Sequence, residues 1–205
     1  MKILVTGGAG YLGNVIIREL LNNRHEITVI DNFMYNQQSC LLTLSKNEKL
    51  NIIQSDVRNY NLLKEEVKKN DAIIPLAAIV GAPAWDLNPE LATEINLNQI
   101  KNIKKLIYKN QLIILPVTNS GYGIGKKDIF CDETSELNPI SHYGKTKVES
   151  EKLILDLENF VSLRLATVFG VSARMRIDLL VNDFVYKAFN DKYIVLFESH
   201  FKRNY

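Results

Sequence analysis

Apolar and polar positions along the chain follow two alternating periods. The stretches Lys2 to Thr6, Glu26 to Ile30, Leu50 to Gln54, Ala72 to Leu76, Leu112 to Val117 and Val161 to Ala166 are short and rich in Ile, Val and Leu. Each predicts a strand, and near-continuous apolar character marks strands covered on both faces of a parallel sheet. Between them a helical period takes over. Leu12, Ile16 and Leu20 recur at i, i+4 and i+8, and Leu91, Ile95, Ile103, Leu106 and Ile107 continue a second stripe. Strands alternating with helices imply right-handed βαβ crossovers, hence an α/β fold with a doubly wound parallel sheet. Asn138-Pro139 reads as the N-cap and first residue of a further helix reaching to Asp156.

Past Gly170 the alternation loses its regularity. A polar turn precedes a predicted helix from Asp178 to Phe189, a strand from Tyr193 to Phe197, and a final Phe201-Lys202-Arg203-Asn204-Tyr205. The expected organisation is therefore one α/β domain over residues 1–170 and the opening of a smaller lobe over 171–205.

Composition narrows the class. Among 205 residues, 25 Lys and Arg face 23 Asp and Glu, a net charge of +2 that lacks the electrostatic footprint of a nucleic-acid binder. Cys40 and Cys131 are lone thiols, so neither a disulfide framework nor a four-cysteine zinc site is expected, and a reducing, cytoplasmic setting fits them. His25, His142 and His200 share no ligand spacing, and no metal site is expected. The apolar stretch from Ala72 to Trp85 holds Pro75 and Pro83 and is too short to span a bilayer, and the N-terminus shows no signal-peptide pattern.

The candidate chemistry begins at the first strand-to-helix turn. Thr6-Gly7-Gly8-Ala9-Gly10-Tyr11-Leu12-Gly13 places glycines at 7, 10 and 13. Such a turn lets backbone N–H groups approach a pyrophosphate, with the helix N-terminus facing it. Asp31, roughly 20 residues further on, ends the second strand where a carboxylate accepts the hydroxyls of an adenosine ribose and repels a 2′-phosphate. Asn32 to Asn36 hold no Arg or Lys, so NAD is expected over NADP. Asp56-Val57 ends the third strand; the carboxylate there either reaches the adenine amino group or caps a turn. Tyr143 and Lys147 stand one helical turn apart, and a nearby ammonium would lower the Tyr pKa toward the range of a general base.

Taken in order, TGGAGYLG, Asp31-Asn32, Asp56-Val57, Leu76-Ala77-Ala78, Asn96, Thr118 to Gly123, Tyr143-Gly144-Lys145-Thr146-Lys147 and Arg164 to Gly170 resemble the NAD-dependent epimerase/dehydratase family. These are extended short-chain dehydrogenase/reductases that act on nucleotide-activated sugars. The resemblance implies NAD as cofactor, held by Gly7, Gly10, Tyr11, Leu12, Gly13, Asp31, Asn32, Asp56, Val57, Leu76, Ala77, Ala78, Asn96, Tyr143 and Lys147. It implies Thr118, Tyr143 and Lys147 as catalytic residues, and Thr118, Asn119, Ser120, Thr167, Asn182 and Arg203 against the substrate. Gly81-Ala82-Pro83 and Trp85 either line the sugar pocket or pack a loop. The helices around Leu91 to Tyr108 and Pro139 to Asp156 would pair with their copies in a homodimer.

The sugar 4,6-dehydratases of the family follow their Thr with an acidic pair; Asn119-Ser120 stands here instead, which disfavours dehydration. The runs Thr118 to Gly123, Arg164 to Gly170 and Met175 to Phe184 look most like a branch that includes GDP-heptose 4-dehydrogenases. The resemblance thus implies oxidation at C4 of a GDP- or UDP-linked sugar, as a 4-dehydrogenase or 4-epimerase. The rival reading is a non-catalytic NAD-binding module. Family members continue beyond the Arg203 region, so the chain is expected to be a truncated version with apolar surface left exposed.

Overall fold

The computed structural model describes residues 1–80, 88–124 and 130–196. The six strands predicted before Gly170 form: β1 (Lys2–Thr6), β2 (Glu26–Asp31), β3 (Leu50–Gln54), β4 (Ala72–Pro75), β5 (Leu112–Thr118) and β6 (Phe160–Leu165). They make one parallel sheet in the order β3-β2-β1-β4-β5-β6. Leu4 pairs with Thr28 on one side and Ile73 on the other, so the winding reverses between β1 and β4. A reversal of this kind opens a crevice outside the carboxyl ends of the two strands.

The helices are α1 (Gly13–Asn22), α2 (Tyr60–Lys69), α3 (Pro89–Thr93), α4 (Gln99–Leu106), α5 (His142–Ile154) and α6 (Leu180–Asn190). Because strand side chains alternate between faces, two cores result. Leu4, Ile73, Ile113 and Leu115 meet Leu63 and Val67 of α2, Ile100 and Ile103 of α4, and Ile154 of α5. On the opposite face Ile3, Val5, Ile27, Val29 and Ile74 pack against Ile17 and Leu21 of α1.

Four boundaries differ from the sequence reading. The deepest residues of α1 are Asn14, Ile17 and Leu21, while Leu12, Ile16 and Leu20 are half-buried. Asn14 is buried because its amide bonds Ser172, a polar use that a search for apolar periodicity passes over. Helix α5 starts at His142, and its cap is Ser141, whose Oγ accepts the Gly144 N–H at 3.0 Å, rather than Asn138. A capping hydroxyl satisfies a free amide of the first turn, which Pro139 three residues earlier cannot do. The helix expected from Asp178 begins at Leu180. Tyr193 to Leu196 are not in a strand, and Phe197 lies outside the described residues.

The long helical stripe is broken by a π-helical turn, Glu94–Asn98, between α3 and α4. This turn points two buried amides at the crevice wall. Asn96 Nδ2 donates to the Ile79 carbonyl at 2.9 Å while its Oδ1 accepts the Ile79 N–H at 2.8 Å. Gln99 Nε2 donates to the Ala77 carbonyl at 3.0 Å, and its Oε1 accepts the Thr6 hydroxyl at 2.6 Å. The segment after β4 is thus held by side chains instead of by sheet pairing. On α6, Val185 and Phe189 are 65% and 74% exposed, in keeping with the expected exposed apolar surface.

Asn96→Ala leaves both Ile79 backbone groups without their partner. A loss of about 3 kcal/mol in urea unfolding is expected; an unchanged midpoint would show that Asn96 does not brace the wall.

Candidate active site

A cavity of about 530 Å³ occupies the crevice at the carboxyl ends of the strands. One end is built by the glycine turn. Gly7 has φ +70, and a Cβ there would lie 2.5 Å from the Ala77 nitrogen. A Cβ on Gly13 would lie 2.5 Å from the Gly8 carbonyl oxygen, so α1 can start this close to β1 only with glycine. Gly7, Gly10, Tyr11, Leu12 and Gly13 all line the cavity, as do Leu76, Ala77 and Ala78 opposite.

Asp31 is buried beside them, its Oδ2 accepting the Ala9 N–H at 2.9 Å and its Oδ1 the Phe33 N–H at 2.8 Å. Each oxygen keeps a second lone-pair direction, enough to accept ribose hydroxyls. The second bond supports a turn in which Phe33 adopts φ 53, a conformation unusual for a bulky side chain. That turn brings Met34 and Tyr35 to the cavity wall.

Asp56 caps the turn that follows β3. Its Oδ1 accepts the Arg58 N–H and Nε, each at 2.9 Å, and its Oδ2 accepts Arg58 Nη2 at 3.0 Å and Asn32 Nδ2 at 3.4 Å. All four lone-pair directions are spent, and the guanidinium holds the carboxyl below its ordinary range. Asp56 lines the cavity alongside Asn32 and Val57, its carboxylate braced by Arg58.

The other end is built by β5, α5 and the segment after β6. Thr118, Asn119, Tyr143, Lys147 and Thr167 all line the cavity. Ser120 does not; its hydroxyl bonds Thr118 Oγ1 at 2.8 Å and its N–H donates to the same atom at 3.2 Å, so it orients the threonine. Lys147 is buried, donates to the Pro116 carbonyl at 3.2 Å, and is lowered to about 8 by desolvation. Burial pushes Tyr143 up to about 12, opposed by the Arg176 guanidinium. The spacing argument had Lys147 lowering the tyrosine. In the structure burial dominates the tyrosine, and the charge that opposes it is the Arg176 guanidinium.

Two further expected contacts are corrected. Asn96 is consumed by Ile79 and does not line the cavity. Asn182 is not at the substrate side either: Nδ2 donates to the Tyr11 hydroxyl at 3.0 Å and the Arg176 carbonyl at 2.9 Å, and Oδ1 accepts the Gly170 N–H at 2.9 Å. It ties α6 to the glycine turn. Cys131 is exposed and away from the cavity. Arg203, Trp85 and residues 81–83 lie outside the described residues. Missed by the sequence reading were Tyr35, Arg174 and Arg176, all of which line the cavity. Arg176 is paired with Asp178, and Arg174 lies 4.8 Å above the Tyr35 ring. Among the described residues no group of three or more His, Cys, Asp or Glu could hold a metal, and no helix is long and apolar enough to cross a membrane.

A sheet of this order, with a glycine turn and a ribose-type carboxylate at its switch point, defines a Rossmann-type dinucleotide-binding domain. The chain matches the NAD dependent epimerase/dehydratase family over residues 3–199 and belongs to that family. It is 28% identical over 182 residues to the UDP-glucose 4-epimerase of Lactobacillus helveticus, covering 84% of this chain and 53% of that protein. UDP-glucuronic acid decarboxylase 1 of Arabidopsis thaliana is 27% identical over 195 residues, covering 90% of this chain and 44% of that protein. The crystal structure of UDP-glucuronic acid 4-epimerase from Bacillus cereus, in complex with UDP-glucuronic acid and NAD, has a TM-score of 0.80 at 27% identity, covering 93% of this chain and 64% of that one. The chain thus spans about half the length of the curated relatives it matches.

The Lys147 shift makes a stability prediction. Below pH 8 the ammonium is protonated in both folded and unfolded chains, and the folded state bears the cost of burying it. Between about 8 and its ordinary 10.5 the folded chain has released the proton and the unfolded chain has not. Stability should therefore rise with pH across that window, by up to roughly 3 kcal/mol relative to Lys147→Met. Urea unfolding of both proteins from pH 7 to 10 checks this; parallel curves would contradict it.

Proposed function

We propose that this chain carries the cofactor-binding and proton-transfer half of an NAD-dependent enzyme that oxidises the C4 hydroxyl of a nucleotide-activated sugar, as a 4-epimerase or 4-dehydrogenase. The observation that carries this reading is the convergence of Thr118, Tyr143 and Lys147 on one cavity whose other end is the glycine turn and Asp31. The relatives named above act on UDP-linked sugars, and they support the substrate class.

The residues present fit NAD: a crevice wall too close to Gly7 for a Cβ, a glycine turn that Gly13 lets α1 approach closely, the N-terminus of α1 at the cavity, and Asp31 with acceptor capacity to spare. When bound, the nicotinamide supplies a hydride acceptor. Thr118 is oriented by Ser120 to hydrogen-bond the reacting hydroxyl. Tyr143, as phenolate, takes that hydroxyl's proton at Oη. Its burial makes the phenolate costly, and Arg176 and Lys147 are the cations available to offset that cost. Lys147 also reaches the nicotinamide ribose in this reading. The cavity-lining carboxylates among the described residues are Asp31 and Asp56, both at the adenosine end. That distribution favours oxidation over the loss of water, which needs an acid near Thr118.

Incubation with NAD and a panel of UDP- and GDP-sugars, followed by cofactor absorbance and product mass, tests the reaction. Loss of two hydrogens or an isomer of unchanged mass is expected; a product lighter by water would overturn it. Tyr143→Phe should lower turnover by roughly 100- to 10,000-fold with NAD affinity nearly unchanged. Equal turnover in both proteins would contradict the role given to Tyr143; weakened NAD binding in Tyr143→Phe, with no activity in the unaltered chain to lose, would favour a non-catalytic NAD-binding module. Asp31→Asn should narrow the preference for NAD over NADP; equal binding of both by the unaltered chain would contradict the role given to Asp31.

A further inference from the structure

Among the described residues, the cations in and around the cavity are committed, with one exception. Arg58 is paired with Asp56 and Glu94, Arg164 with Glu151, and Arg176 with Asp178. Lys147 donates to the Pro116 carbonyl at the Thr118 end. The Arg174 guanidinium lines the cavity and is half-buried, yet among the described residues its only contact of this kind is the Tyr35 ring. Ring stacking engages the face of a guanidinium and leaves its fork of N–H donors in the plane, where they match the oxygens of a phosphate.

The backbone that carries Arg174 is seated on the first turn of α1. Ser172 Oγ donates to the Tyr11 carbonyl at 2.8 Å and accepts from Asn14 Nδ2 at 2.9 Å, and the Ala173 N–H donates to Asn14 Oδ1 at 3.2 Å. The side chain then crosses to Tyr35, which follows the Asp31 end of β2. It spans the gap between the helix start that faces a pyrophosphate and the adenosine end. Asp31 brings a negative charge to this side of the cavity, which opposes an anionic ligand unless a cation offsets it.

We infer that Arg174 is the cation of the cofactor's phosphate site, carried there by the segment after β6 and resting on the Tyr35 ring. The inference rests on the NAD reading above and deepens it: backbone amides and the α1 dipole are not the whole of the pyrophosphate site. A residue about 160 positions from the glycine turn completes it, and Ser172, Asn14 and Tyr11 hold that residue in place.

Calorimetric binding of NAD, NADP, ADP-ribose and adenosine to the 205-residue chain, Arg174→Gln and Arg174→Lys tests it. In the Gln variant, dissociation constants for NAD and ADP-ribose should rise about 10- to 100-fold, with adenosine unchanged within about 2-fold. The Lys variant should recover most of the loss, and the affinity of the Gln variant should depend less on salt. Thermal melting of the variants reports on folding. Three results would overturn the inference: ADP-ribose unaffected, adenosine weakened as much as ADP-ribose, or a loss confined to NADP, which would move Arg174 to the 2′-phosphate. An unaltered chain that binds none of these would overturn the NAD reading as well.

Discussion

The site depends on one close approach, that of the Gly7 turn to the segment after β4. A single Cβ on Gly7 would reach within 2.5 Å of the Ala77 nitrogen, so the two walls of the crevice touch through backbone alone. The sheet makes this contact unavoidable, because β1 and β4 are neighbours at the point where the winding reverses. The wall that leaves β4 is not stabilised by further pairing. Gln99 and Asn96 hold it instead, with the Thr6 hydroxyl shared between Gln99 and the Ala77 N–H, to which it lies at 3.3 Å. The π-helical turn at Glu94–Asn98 is what aims both amides inward, an irregularity of a kind often found where a helix serves a site.

Charge around the crevice is similarly arranged in pairs. Arg58 fills every lone-pair direction of Asp56 not taken by Asn32, and Asp178 holds Arg176. Glu151, buried in α5, accepts from Ser162 and Arg164 and so joins α5 to β6. Among the described residues, the cavity-lining groups left able to act on a ligand include Asp31, Thr118, Tyr143, Lys147 and Arg174. Their distribution follows that of a dinucleotide, with the carboxylate and guanidinium at one end and the proton-transfer groups at the other.

Much of this was legible in the chain. Strands buried on both faces have to be apolar throughout, so their positions and the parallel sheet could be read from Ile, Val and Leu runs. Gly7, Gly13 and Asp31 could be read because a turn of this closeness tolerates few other residues. The missing parts share a cause: they depend on what lies across space. Asn182 looked like a substrate residue until its amide was found on Tyr11, Gly170 and Arg176. Asp56 is the local exception, since its partner Arg58 stands only two positions along the chain. The residues following Asp31 hold no cation, which is true of the sequence and incomplete for the site, since Arg174 arrives from beyond β6. Tyr143 and Lys147 were placed correctly, but their burial, which reverses the expected shift of the tyrosine, is a property of the packed helix.

The central claim is that the two ends of this cavity work on one reaction, with the C4 hydrogen of a sugar leaving as hydride while Tyr143 takes the hydroxyl proton. Single-turnover mixing of the chain and NAD with UDP- and GDP-hexoses carrying deuterium at C4 tests it most directly. For at least one of these sugars the account predicts deuterium on the reduced cofactor in the quenched reaction, kept there by a dehydrogenase and returned to C4 of the inverted sugar by an epimerase. Deuterium lost from C4 to solvent, or a sugar altered elsewhere while C4 keeps both its deuterium and its configuration and the cofactor is never labelled, would contradict the account.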